Sequence, residues 1–200
     1  MPTERTTVRR RANRGHYDRE TIDAVLDEAI VCHVAVAADH GPLVLPTGFV
    51  RIGDEVVVHG ATSNHLLGLA ADGRPVCITV TLLDGLVLAR SAFRHSMNYR
   101  SVVVFGRARV LEGPEKEDAL RAFVEHVVPG RSAQVRQPSP AELDATLVVA
   151  VPLHEASAKV RTGPPADPAE DMALDVWAGV VPLRMVRGEP VPDPSAEAGA

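Results

Sequence analysis

A dense group of polar side chains lies at residues 94–101, between two apolar runs of the sequence. Arginine, serine, asparagine and tyrosine occur there together, and their donor groups suit an anion or a heterocycle with several acceptor atoms. An ordinary connection between strands would instead be rich in glycine or aspartate. The segment is therefore the first candidate binding site, and the alternative is a polar loop whose charges are solvated.

Two further segments carry hydroxyl groups where they could bind a ligand. Residues 59–66 read His-Gly-Ala-Thr-Ser-Asn-His-Leu and lie between an apolar strand and a helix. Backbone amides at a helix start can bind phosphate, and Thr62 or Ser63 can cap the helix or donate to the anion. Thr79 and Thr81 place two hydroxyls on one face of a strand. Capped helices and ordinary strands show the same patterns without a ligand.

Histidines supply the candidate catalytic groups. His59 and His95 lie in the two polar segments, and because the imidazole pKa is near neutral they could donate protons. A structural role is the alternative for each. Apart from the loose pair His59 and His65, the histidines are dispersed, so no metal site is predicted. Cys32 and Cys77 lie in apolar runs and are expected to be reduced core thiols.

The elements that position these residues are mostly strands. Apolar residues at spacing i, i+3, i+4 and i+7 predict a helix over residues 18–30, with Asp18 placed to cap it. Gly53-Asp54 and Asp84-Gly85 predict hairpin turns. Short connections of this kind favour an antiparallel barrel or sandwich. The other predicted helices cover residues 63–71 and 113–127, and the predicted strands cover residues 31–38, 43–51, 55–59, 75–83, 86–92, 101–112, 146–152 and 176–183.

Composition narrows the function classes. The 200 residues are 46% hydrophobic and 24% charged, which fits one compact domain. A net charge of −5 and an aromatic content of 4% give no basis for a nucleic-acid partner.

No apolar window approaches ~18 residues, so no membrane span is predicted. The basic start lacks the apolar run of a secretory signal, which predicts a cytoplasmic protein. Motifs of serine hydrolases, P-loop NTPases and Rossmann enzymes are absent from the sequence.

Several blocks, in this order, resemble the FMN-binding split-barrel proteins related to pyridoxamine 5′-phosphate oxidase. The similarity is greatest to the bacterial flavin-nucleotide-binding subgroup, which is itself similar to nitroimidazole reductases. The resemblance covers about residues 18–183. The blocks that carry it are Leu45-Pro46-Thr47-Gly48-Phe49, His59-Gly60-Ala61, residues 75–81, His95-Ser96-x-Asn98-Tyr99-Arg100-Ser101, residues 159–163 and residues 176–180.

The resemblance implies a mainly β fold, a six-stranded antiparallel split β-barrel with flanking helices, that works as a homodimer with flavin at the subunit interface. The expected organisation is a basic arm at residues 1–17, the barrel domain at 18–188 and a tail at 189–200 with little reason to order. Trp177 would reach the flavin from the partner chain, or else anchor the barrel end. The implied cofactor-binding residues are Thr47, Gly48, His59, Gly60, Ala61, Ser63, His65, Leu66, Thr79, Val80, Thr81, Ser96, Asn98, Tyr99, Arg100, Ser101 and Trp177.

One position departs from that family pattern. Such proteins commonly carry a basic pair after the serine at the helix start, where it holds the FMN phosphate, whereas this chain has Asn64 and His65. Without two charge-assisted hydrogen bonds, the phosphate would bind more weakly by roughly a hundredfold. Arg51 or Arg100 could compensate.

The expected function is that of an FMN-dependent oxidoreductase acting on a small organic substrate, with no nucleic acid or membrane as partner. One alternative is a non-catalytic flavin carrier. Another is a haem-binding split-barrel protein, with His59, His65 or His95 as the axial ligand. A deazaflavin is a third possibility for the cofactor. A purely structural dimer would leave the polar residues 96–101 unexplained.

Overall fold

A computed structural model describes residues 2–194 of the protein. Within that range the chain is mainly β, with ten strands and four α-helices, and so the predicted fold class is confirmed with more strands than the six expected. The helices are α1 Arg19–Glu28, α2 His65–Ala71, α3 Gly113–Val127 and α4 Pro140–Asp144. The strands are β1 Gly15–His16, β2 Val31–Ala38, β3 Gly41–Ile52, β4 Glu55–Ala61, β5 Pro75–Leu88, β6 Ser96–Arg107, β7 Arg109–Val110, β8 Thr146–Pro152, β9 Glu155–Arg161 and β10 Gly179–Pro182.

The described chain divides into two compact units. The first contains residues 2–82 and 98–163, and the second contains residues 83–97 and 164–194. In the first unit the strands follow the spatial order β1-β9-β6-β5-β2-β3-β4-β8-β7. In the second, β10 pairs antiparallel with the last four residues of β5. No helix within residues 2–194 is long and apolar enough to cross a bilayer.

The first unit has two apolar clusters. The larger one joins α1 and α2 to one face of the strands, and its centre includes Leu26, Phe49 and Ile78, all fully buried. The smaller one packs α3 against β3, β4 and β8 through residues such as Val57 and Ala119. Burying each large aliphatic side chain contributes about 1.5–3 kcal/mol. The strands therefore have a core face and an outer face, and α3 covers part of the outer face.

The first two helices begin at side-chain caps. Asp18 accepts a 2.8 Å hydrogen bond from the Thr21 amide, which confirms the predicted cap of α1. At α2, the cap is Asn64, whose Oδ1 accepts from the Leu67 amide at 3.1 Å. The expectation that Thr62 or Ser63 caps this helix is therefore wrong. Asparagine is among the best capping residues, and the helix starts at His65, two residues later than the predicted start at Ser63.

The predicted hairpin at Asp84-Gly85 is also wrong, because β5 runs without a break through both residues. Gly85 serves a different purpose in the second unit. A Cβ there would lie 2.9 Å from Cγ1 of Val180 and 3.1 Å from the Val181 carbonyl oxygen. The glycine lets β10 approach closely, which is a second common reason for glycine in a strand.

Three other differences concern strand ends. The polar segment 94–101 is not a loop throughout, since β6 begins at Ser96. Strand β9 was not predicted, because its small and polar residues give little apolar alternation. The predicted strand 176–183 is reduced to β10. Residues 189–193 of the predicted tail form neither helix nor strand, and residues 195–200, like Met1 of the predicted arm, lie outside the described residues.

Candidate functional site

The two faces of the sheet separate the predicted site residues. Neighbouring residues of a strand point to opposite faces, and directly paired residues share a face. Thr47 is paired with Cys32, which is fully buried in the core, whereas Thr79 is paired with the exposed His33. Thr47 and Thr79 therefore lie on opposite faces, and only Thr79 is on the outer face.

The outer face gathers a consistent subset of the predicted residues. On β5, Val80 is buried, so Thr79 and Thr81 point outward together, as predicted. On β6, Val102 is buried, so Ser101 points outward. Strands β6, β5 and β2 are neighbours, so these hydroxyl groups lie on one face of adjacent strands, together with apolar residues such as Val31 and Val103. Val80 and Leu66 have their side chains in the core, which leaves only their backbone for a ligand.

A cavity of about 740 Å³ lies between the outer face of β4 and helix α3. Its walls include His59, the apolar residues Leu120, Phe123 and Val124 of α3, and the segment from Ser132 to Pro138. Arg121 and Arg136 also line it. They are paired with Asp118 and Glu142 respectively. The cavity thus combines an apolar wall, one imidazole, two ion-paired arginines and the carboxylates of Glu117 and Glu142.

His59 is the titratable group that faces this cavity from the sheet. Its ring meets the Phe123 ring edge-on, with centroids 4.5 Å apart and planes inclined by 73°. Burial lowers the pKa of His59, because the charged imidazole loses solvation. Among the described residues, neither ring nitrogen has a hydrogen-bond partner. A neutral imidazole of this kind can accept a proton or bind a metal ion through a free ring nitrogen.

Gly48 lets Phe123 pack closely on the cavity side of the sheet, and Gly60 lets Leu67 pack closely on the core side. A Cβ at Gly48 would lie 2.8 Å from Cζ of Phe123. At Gly60 it would lie 2.9 Å from Cδ1 of Leu67. Gly48 and His59 thus meet the same phenyl ring, which brings two of the predicted blocks together. Ala61, Ser63 and His65 continue from this point on the exposed surface at the start of α2.

The two arginines expected to compensate for the missing basic pair are already paired. Arg51 donates to both carboxylate oxygens of Asp27, at 2.7 and 2.6 Å. Arg100 is bonded to Glu28. Both carboxylates belong to α1, so these arginines tie β3 and β6 to that helix. The suggestion that either one holds a phosphate is not supported by this arrangement.

Other predicted residues have structural partners. Asn98 and Tyr99 lie at the start of the β6 ladder, where buried Asn98 is bonded to Arg161 and donates to the Gly163 carbonyl at 3.2 Å. In the second unit, Ser96 is exposed and the His95 Nδ1 lies 3.0 Å from the Ser91 carbonyl oxygen. Trp177 is 66% exposed and covers Gly179, where a Cβ would lie 2.9 Å from its ring.

Sequence reasoning missed one wall of the cavity. Phe123, Arg121 and the segment around Arg136 were not singled out, because α3 has the apolar stripe of any surface helix. The unusual feature is visible only in three dimensions, where part of that stripe faces a space rather than a packed neighbour. Within the described residues, no group of three or more histidine, cysteine, aspartate or glutamate side chains is arranged to hold a metal ion.

The family model of pyridoxamine 5′-phosphate oxidase matches residues 18–160, which is more than half of the chain. The chain belongs to this family. Among solved structures, the flavocytochrome Anf3 from Azotobacter vinelandii is 42% identical, with a TM-score of 0.91, over 96% of this chain and 90% of that one. The FAD and heme binding protein from Mycobacterium smegmatis is 40% identical, with a TM-score of 0.89, over 93% of this chain and 92% of that one.

A more distant solved structure shares the fold. A putative 5-nitroimidazole antibiotic resistance protein from Bacteroides thetaiotaomicron is 24% identical, with a TM-score of 0.62, over 73% of this chain and 86% of that one. Comparison with curated protein sequences gave no match. The resemblance drawn from the sequence blocks is thereby confirmed at the level of the family.

Proposed function

We propose that this chain is a flavin-dependent oxidoreductase that also binds a haem. The observation that carries the haem part is the cavity beside α3, in which an imidazole whose pKa is lowered by burial faces an apolar wall and two ion-paired arginines. Two proteins that are at least 40% identical over more than nine-tenths of this chain are named as a flavocytochrome and as a FAD- and haem-binding protein. When bound, a flavin exchanges one or two electrons and a haem iron exchanges one.

The haem fits the residues of the cavity. His59 would bind the haem iron, because its ring nitrogens lack partners among the described residues and burial favours the neutral form. Leu120, Phe123 and Val124 would exclude water from the macrocycle. Arg121 and Arg136 would pair with its two carboxylates in exchange for Asp118 and Glu142, their ion-pair partners in the structure. A ring nitrogen that binds iron is not free to exchange a proton with a substrate, so this proposal leaves His95 as the candidate proton donor.

The flavin is assigned to the outer face formed by β6, β5 and β2. Thr79 and Thr81 would donate hydrogen bonds to the acceptor atoms of the ring, and Ser101 would do so once its hydroxyl turned away from the Lys159 carbonyl, to which it donates at 3.3 Å. The resemblance of the sequence blocks implies FMN, whereas one similar protein is named for FAD, and both nucleotides carry the same reactive ring. The substrate in this proposal is a small organic molecule that exchanges electrons with that ring. Placement in the cytoplasm stays a prediction.

The same proposal includes a homodimer with the flavin at the subunit interface. The second unit supports it, because apolar side chains that a monomer would normally bury are exposed there. Phe93 is 89% exposed, Met172 58% and Trp177 66%. Clusters of exposed apolar residues mark interaction surfaces. A second copy of this chain is the partner that would cover them.

The haem assignment is tested with the full chain, expressed with a haem precursor and purified with its cofactors. We expect the Soret band of a histidine-ligated haem, and we expect His59→Ala to lose that band while it retains flavin. His40→Ala removes an exposed histidine and is the matched control. Retained flavin shows that the variant is folded. A Soret band of unchanged position and intensity in the His59 variant would contradict the assignment.

A further inference from the structure

A second pocket lies under the N-terminal arm, residues 2–14, on the outer face of β6 and β9. Its volume is about 230 Å³. Four cationic side chains and four hydroxyl side chains line it, and no carboxylate does. The lining residues are Arg5, Thr6, Thr7, Val8, Arg9, Arg10, Ser101, Val103, Ser157 and Lys159.

The strand register explains why the floor of this pocket is polar. Ser101 is paired with Lys159, and Val103 with Ser157. The intervening pair, Val102 and Ala158, is buried in the core. By strand alternation, the first two pairs point to the outer face. A serine and a lysine therefore stand side by side beneath the arm.

The arm is held in place by specific contacts. Thr3 Oγ1 donates to Glu155 at 2.5 Å, and Arg5 pairs with the same carboxylate. The Val8 amide donates to the Tyr17 hydroxyl at 2.9 Å. At Gly15 of β1, a Cβ would lie 2.9 Å from Cβ of Val8, so the glycine permits this close approach. These contacts fix the arm against the sheet, so that it forms one wall of the pocket.

Some of the cations in this pocket are not used by the fold. Among the described residues, neither the Arg10 guanidinium nor the Lys159 ammonium has a hydrogen-bond or ion-pair partner. The Arg9 guanidinium meets only Glu4, at 3.4 Å, with both side chains largely exposed. In a chain with a net charge of −5, this concentration of positive charge favours a multiply charged anion.

The position of the pocket relates it to the flavin surface. Ser101 belongs both to the pocket and to the outer face that includes Thr79 and Thr81. Strands β9, β6 and β5 are consecutive neighbours, so about 10 Å separates Lys159 from β5 across the sheet. The positive charge of Arg5 opposes the rise in the pKa of Cys77 on β5 that burial causes. Arg5 of the arm thus lies within electrostatic range of that strand.

We propose that this pocket binds a phosphate group, with Arg9, Arg10 and Lys159 as its cationic ligands. The phosphate of the flavin nucleotide is the source that the position favours, and this part of the inference rests on the proposed function. The pocket would then supply the cations that Asn64 and His65 do not provide at the start of α2. The phosphate of a separate nucleotide that serves as electron donor has the same chemistry, and the experiment distinguishes the two.

The test uses the full chain freed of flavin, titrated with riboflavin, FMN, FAD and inorganic pyrophosphate. The variant Arg10→Gln/Lys159→Gln removes two cations of the pocket. Arg131→Gln/Arg184→Gln removes two exposed cations outside it and is the matched control. We expect the pocket variant to bind FMN and FAD about tenfold or more weakly, because each cation contributes a charge-assisted contact. Riboflavin, which lacks phosphate, should bind both variants equally well.

The other possible results of these titrations would reassign the phosphate site or contradict it. Unchanged flavin affinity with a loss of pyrophosphate binding in the pocket variant would assign the site to a separate phosphate-bearing molecule. Wild-type protein that binds no flavin would contradict the proposed function, while the pyrophosphate titration would still test the pocket. If the variant does not fold, titration of the wild-type protein at low and high salt decides. No pyrophosphate binding, and no difference between the variants, would overturn the proposal.

Discussion

At the scale of single residues, the absence of a side chain at Gly48 shapes the cavity. Its missing Cβ leaves room for Phe123, which in turn supports the ring of His59. We expect Gly48→Ala to displace the phenyl ring and to lower the free energy of unfolding by about 1–3 kcal/mol, the usual cost of overpacking. Urea unfolding followed by circular dichroism measures this decrease.

Gly68 provides the matched control for that substitution. It lies inside α2, and a Cβ there would meet no heavy atom within 4 Å. Alanine is favoured over glycine in a helix by about 0.8–1 kcal/mol. We expect Gly68→Ala to be stabilising. Equal effects at Gly48 and Gly68 would show that the close approach to Phe123 is unimportant.

The lowered pKa of His59 has a consequence for stability without cofactors. Its pKa in the folded protein lies below the ordinary value of 6.5, so below that pH the unfolded chain binds more protons. The free energy of unfolding should therefore fall as the pH drops from about 6.5 towards the folded-state pKa. Urea unfolding between pH 7.5 and pH 5, values chosen to bracket the ordinary imidazole pKa, measures the slope.

A comparison of His59→Gln with His40→Gln assigns that slope to one residue. His40 is exposed and serves as the control. The His59 variant should lose part of the decrease in stability on acidification, because a glutamine does not titrate. An identical pH dependence in the two variants would contradict the burial of His59.

At the scale of elements, the cap of α2 can be assigned to Asn64 or to Ser63 by substitution. Asn64 accepts from the Leu67 amide, whereas Ser63 is exposed and caps nothing. We expect Asn64→Ala to lower the free energy of unfolding by about 0.5–2 kcal/mol, the usual cost of losing a helix cap. Ser63→Ala should change it by less than about 0.5 kcal/mol. Thermal unfolding of the two variants checks this difference. A larger loss of stability for Ser63→Ala than for Asn64→Ala would indicate that Ser63 is the cap.

The apolar pattern predicted the elements with long periodic segments. Strand β2 matches its predicted range, and α3 ends where the glycine and proline after Val127 suggested. Strand β9 was missed because alanine, serine and lysine alternate with little contrast in hydrophobicity. At Gly85 the sequence could not distinguish a turn from a close approach of two strands, because glycine serves both. That distinction depends on β10, which is distant in sequence.

The candidate site was predictable in part, for a similar physical reason. Thr79, Thr81, Ser101 and His59 were found because their polar side chains stand out in apolar strands. The phosphate site proposed at the N-terminal arm was not predicted. Arg9 and Arg10 lie more than 90 residues before Ser101, and only the folded chain brings them to the same pocket. The cavity wall at Phe123 was likewise invisible in a helix with ordinary amphipathic spacing.

At the scale of the whole molecule, the proposed dimer follows from the exposed apolar side chains of the second unit. We expect a mass of about twice the 21.3 kDa of one chain in sedimentation equilibrium. Phe93→Ser/Trp177→Ser should weaken the association, because aromatic side chains dominate interface energies. Leu45→Ser, at an exposed position of the first unit, is the control. A monomeric wild-type protein at micromolar concentration would contradict the dimer.

The proposed function requires one chain to hold both a flavin and a haem. The absorption spectrum of the purified full chain, with flavin and haem each quantified per chain after release, tests this requirement. We expect a Soret band together with flavin bands, at close to one of each cofactor per chain. A protein that, after incubation with both cofactors, retains flavin without haem would contradict the haem assignment. Retention of neither would contradict the proposed function as a whole.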